Sequence, residues 1–151
     1  MTTKYENILI AVDGSEEAKK GFEKAIDIAK RNEAALHIVH IVDNGYFASV
    51  EALAHASIPD YNEQQGKKLL AEYEQAAKEA GALSVHTVME TGSPKSLIPN
   101  RIANQVQADL IVCGATGIHG MERLFLGSVS EHITRTAKCD VLIVRNNEEN
   151  K

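Results

Sequence analysis

The sequence is most informative first in what it lacks. It has only two cysteines, Cys113 and Cys139, and neither stands in a CxxC or Cys/His ligand spacing. That excludes a disulfide scaffold and gives no support for a structural metal site. Two small hydrophobes in a reducing, cytoplasmic compartment are expected instead. No apolar run approaches the roughly 20 residues needed to cross a bilayer. The opening MTTKYEN has no apolar h-region, so no signal peptide is expected. Positive charge is scarce: 16 basic residues against 21 acidic ones leave a net charge of −5. This argues against a nucleic-acid surface, which needs clustered Lys and Arg. It leaves a small anionic ligand open, because backbone N–H groups alone can hold one. His37 and His40 lie three apart in an apparent strand, so they should face opposite sides and not share a metal. Three enzyme signatures are also missing. There is no P-loop G-x-x-x-x-G-K-[ST], no G-x-G-x-x-G after the first strand and no G-x-S-x-G elbow.

What is present is an alternation of short apolar runs with amphipathic stretches. Asn7 to Val12 reads as a buried strand, and Ser15 as the cap of a helix with Glu16 and Glu17 in its first turn. Ala18, Phe22, Ala25, Ile26 and Ala29 form that helix's apolar face. Leu36 to Val42 is a second strand. Residues 44 to 60 read as a long connection. Leu69, Leu70, Tyr73, Ala76, Ala77 and Ala80 mark a second helix that stops at Gly81. Ser84 to Met89 is a third strand. Ser93 and Pro94 open a third helix, which Pro99 should kink or restart near Asn100. Asp109 to Cys113 is a fourth strand. Ser128-Val129-Ser130-Glu131 fits a capping box, with Lys138 near the end of the helix it starts. Val141 to Val144 is a fifth strand, and residues 146 to 151 a frayed tail. This order predicts one α/β domain over residues 1–151. Its core would be a doubly wound, five-stranded parallel sheet with helices on both faces. Ligands in such folds bind beyond the carboxyl ends of the strands, where strand order reverses.

The segment after the fourth strand carries the chemistry. Gly114, Ala115, Thr116, Gly117, Ile118, His119 and Gly120 form a glycine-rich loop, and Gly127-Ser128 opens the last helix. Glycines let backbone approach a phosphate, successive N–H groups can form a nest, and the helix presents its positive end there. Ser128 and Ser130 would add hydroxyl donors.

The spacing Gly114-x2-Gly117-x9-Gly127-Ser128 resembles the G-2x-G-9x-G-[S/T] motif of the ATP-binding branch of the universal stress protein family. NILIAVDGSEEAKKGFEKAIDIA, HIVHIVD, Gly92-Ser93-Pro94, ADLIVCGATG and SVSEHITRTAKCDVLIVR are similar to the family's elements in the same order. Gly92 to Asp109 is slightly longer than in the family and contains Pro99. The resemblance implies a Rossmann-like fold and an ATP site, with ADP or AMP as alternatives. It places Ala11, Val12 and the backbone of Ile41 beside the nucleotide. Asp13 would lie near the ribose and a phosphate-bound divalent cation, Mg or Mn. The motif glycines would surround ribose and phosphates, and Ser128, Val129 and Ser130 would bind phosphate. A homodimer through Val141, Leu142, Ile143 and Val144 is implied too. The role implied is a nucleotide-dependent stress-response or signalling module. The alternatives are a slow ATPase or autophosphorylating enzyme, or an interaction protein that binds no nucleotide. No positioned general base is evident, and His119 and Arg123 are the basic groups nearest the loop.

Overall fold

The structure is a computed structural model and describes residues 4–43, 58–115 and 126–145. Five strands form one sheet: β1 (Asn7–Ala11), β2 (Ala35–Asp43), β3 (Ser84–Gly92), β4 (Leu110–Gly114) and β5 (Asp140–Val144). Every pairing is parallel and the order is β3-β2-β1-β4-β5. The apolar runs explain the placement. Ile8, Leu9 and Ile10 of β1 are wholly buried on both faces, as a central parallel strand requires. The chain crosses from one side of β1 to the other between β3 and β4, so strand order reverses between β1 and β4.

Two cores flank the sheet. On one face α1 (Glu16–Asn32) and α2 (Ile58–Glu79) cover Ile8, Ile10, Leu36, Ile38 and Val112. Phe22 of α1 meets Tyr73 of α2 edge-on at 4.5 Å between ring centroids. On the other face Ile98, Ile102 and Ile133 cover Leu9, Val39, Ile41 and Ile111. These residues come from a helical segment and from α5 (Ser128–Thr136). The segment runs through α3 (Pro94–Ser96), a π turn (Leu97–Ile102) and α4 (Ala103–Val106).

The local chemistry departs from expectation in four places. The second helix begins at Ile58, well before its apolar stripe, and so takes in residues assigned to the connection. Residues 44 to 57 lie outside the described residues. Pro99 interrupts its α-helix, but α geometry resumes at Ala103, not near Asn100. It sits in the π turn, whose wider spacing relieves the clash of the ring with the preceding turn. There Ala103 N donates to Ile98 O, and Asn100 Nδ2 donates to Ser96 O at 3.2 Å. The capping box at Ser128 does not form. Gly127 is the cap residue and no side chain caps the helix. Glu131 ion-pairs with Arg135 instead. Lys138 lies beyond the helix, because Ala137 is already extended. Ser15 does cap α1, accepting from Ala18 N at 3.0 Å. Among the described residues no helix is long and apolar enough to cross a membrane.

Candidate functional site

Above the carboxyl ends of β1, β2 and β4, at the switch point, lies a cleft of about 950 Å³. Its floor is Ala11, Val12, Val39, Ile41, Cys113 and Gly114. One wall is the start of α5, Gly127 to Ser130, and the other is α2 with the turn at Asp13. Ala11, Val12, Asp13, Ile41, Gly114, Gly127, Ser128, Val129 and Ser130 therefore converge on one cavity from four elements. Thr116, Gly117, Ile118, His119 and Gly120 lie outside the described residues. Ala115 does not line the cleft; it is buried beneath the helix start.

The start of α5 has the strongest local electrostatics. Its first intrahelical bond runs from Glu131 N to Gly127 O at 3.0 Å. The amides of Ser128, Val129 and Ser130 precede that bond, so they have no partner within the helix. With no side-chain cap, they present the positive end of a nine-residue helix to the cleft. Two bonds fix this end in place. Gly127 N donates to Ala115 O at 2.7 Å, and Ser130 Oγ donates to the same oxygen at 2.7 Å. Ala115 N in turn donates to Val144 O at 2.9 Å, which ties the helix start to β5. The Ser130 hydroxyl is thus committed inside the protein. Contrary to expectation it is not a hydroxyl donor for a ligand, and only its N–H remains for that purpose. Ser128 is exposed at the first helical position, so its hydroxyl can still contribute.

Gly114 has a packing reason as well as a place in the cleft. A Cβ there would come within 2.8 Å of Glu17 backbone carbon. The strand end can lie this close to α1 only without a side chain. Opposite it, Asp13 is exposed, and its Oδ1 accepts from Ser15 N at 3.0 Å. This Asx turn aims the carboxylate at the cleft while Ser15 caps α1. Among the described residues no three His, Cys, Asp or Glu side chains gather to hold a metal. Burial pushes the Cys113 thiol up to about 12, so it stays protonated and acts as a small hydrophobe on the floor.

Sequence reasoning missed the α2 wall: Asn62, Gln65, Gly66, Lys68 and Glu72 line the cleft, and so does His40. Polar residues on an amphipathic helix carry no signal of facing a cavity. His40 and His37 do face opposite sides. His40 Nδ1 meets Val12 O at 2.9 Å, whereas His37 Nε2 meets Asn7 Oδ1 at 3.1 Å and stacks on His86.

Comparison with known proteins bears on this arrangement. The universal stress protein family model matches residues 4–145. A protein of Staphylococcus haemolyticus named as a putative universal stress protein is 47% identical over 144 residues, covering 95% of this chain and 87% of that one. The universal stress protein UspA of Lactobacillus plantarum has a similar structure, with a TM-score of 0.85 at 28% identity, over 95% of this chain and all of that one. A universal stress protein crystallised in complex with cAMP has a TM-score of 0.69 at 29% identity, over 95% of this chain and 98% of the other.

Proposed function

Because the chain belongs to the universal stress protein family, we propose that it binds ATP in this cleft and works as a nucleotide-dependent stress-response module. The observation that carries the reading is the uncapped start of α5, open to a cleft at the switch point. The phosphates would take the amides of Ser128, Val129 and Ser130. The base would lie against Ala11, Val12 and the backbone of Ile41. Asp13 would reach the ribose and a Mg or Mn ion carried by the phosphates. The loop from Thr116 to Gly120 would complete the cradle. The similar protein crystallised with cAMP supports an adenine nucleotide as the ligand class. Binding would shift the population of one conformation or of a dimer, which needs only unequal affinity for the two states. We propose slow hydrolysis at most, a cytoplasmic setting, and a homodimer through β5.

Ser128→Pro tests the site. Proline suits the first helical position, and Gly127 before it is already extended, so the fold should keep its melting temperature within a few degrees. The substitution removes one amide and one hydroxyl from the anion cradle. Calorimetric titration with ATP and magnesium should show affinity falling by about tenfold or more. Unchanged affinity would move the phosphates away from α5.

A further inference from the structure

We propose that His40 is a positioning residue of the nucleotide site, holding the Val12–Asp13 turn through its ring; this rests on the nucleotide reading above. His40 occupies an apolar row. On its face of β2 the neighbours two residues away, Ile38 and Val42, are both buried hydrophobes. An apolar side chain would pack there at least as well, so packing does not explain a histidine. The bond to Val12 does.

Val12 follows the last residue of β1. Its N–H still pairs with Val39 O at 2.9 Å, but the chain then turns at Asp13 and Gly14, where Gly14 has φ +84°. The Val12 carbonyl takes the His40 ring nitrogen Nδ1 at 2.9 Å as its partner. A carbonyl only accepts, so Nδ1 carries the hydrogen. His40 thus extends the β1–β2 pairing one step past the end of the ladder, by a side chain. The residues it secures line the cleft, and the Asx turn of Asp13 follows at once.

The ring is itself clamped. A Cβ on Gly66 of α2 would approach His40 Cδ2 to 2.8 Å, and Met89 is its register partner on β3. The absence of a side chain at Gly66 lets α2 lie on the imidazole. His40 is therefore wedged between the turn that carries Asp13 and the helix that walls the cleft.

The test uses two variants of similar size. In His40→Asn the side-chain amide nitrogen can donate from near the Nδ1 position, whereas His40→Leu keeps the bulk and has no donor. His40→Leu should weaken ATP binding about tenfold, because it leaves the Val12 carbonyl without its partner, and His40→Asn should restore most of the loss. In the nucleotide-free protein, His40→Leu should also speed exchange of the Ser15 amide, and nitrogen NMR should show hydrogen on Nδ1 in the wild type. Wild-type affinity in His40→Leu, or no recovery in His40→Asn, would overturn the proposal. If the wild-type protein binds no nucleotide, the role in binding falls with the reading it rests on. The exchange and tautomer results would then separately decide whether His40 holds the turn.

Discussion

At the scale of single residues, the histidines show how one side chain type serves two environments. His37 sits half-buried on β2, bonded to Asn7 and stacked on His86 with 5.0 Å between centroids. Burial, and then repulsion from His86, lower its pKa from the usual 6.5. The sign follows from linkage. Below about pH 6.5 the unfolded chain takes up a proton that the folded chain declines, so stability falls as pH drops towards the folded pKa and then levels off. Urea midpoints between pH 5 and pH 7.5 should therefore fall less steeply in His37→Gln than in the wild type, and equal slopes would contradict this. Residue-level legibility is uneven for a physical reason. Ser15 can be read as a cap because Asp13-Gly14-Ser15-Glu16-Glu17 puts turn and cap chemistry next to each other. The role of Ser130 cannot be read, since its partner is a main-chain carbonyl 15 residues earlier in the chain. His40 gives no warning either, because its partner is a main-chain carbonyl on another strand.

At the scale of elements, strands are legible, and so are the helix starts at Glu16, Pro94 and Ser128, but the start of α2 is not. Apolar runs such as Asn7 to Val12 mark a strand buried on both faces whatever surrounds it. The first turns of α2 are polar, and the close fit of Gly66 on His40 depends on packing alone. Pro99 signals an irregularity, but a π turn needs the partners seen only in three dimensions. The edge strand β5 bears on assembly. Ala115 N bonds to Val144 O, so the main-chain groups of Val144 and, two residues earlier, Leu142 face β4. Those of Val141 and Ile143 face away from the sheet, where a second copy could pair with them. Ile143→Pro should therefore give a monomer in sedimentation analysis while the β4–β5 pairing survives. Leu142→Pro would instead break that internal pairing. A dimer that persists in a folded Ile143→Pro would place the interface elsewhere.

At the scale of the whole molecule, the strand order β3-β2-β1-β4-β5 creates the site. It opens a crevice between crossovers that leave in opposite directions, and it brings the Asp13 turn and the start of α5 to opposite walls of it. Alternating strand and helix patterns are enough to foresee that crevice and the segments that border it. The α2 wall is not foreseeable, because long-range packing decides which polar face of a helix meets a cavity. Whether this cleft is an ATP site is decided most directly by chromatography and mass spectrometry of the small molecules released when the freshly purified protein is denatured in acid. ATP in near-stoichiometric amount is expected from the wild type, and markedly less from Ser128→Pro. Protein that releases no adenine nucleotide, and then fails to bind ATP with magnesium at millimolar concentration, would contradict an ATP site.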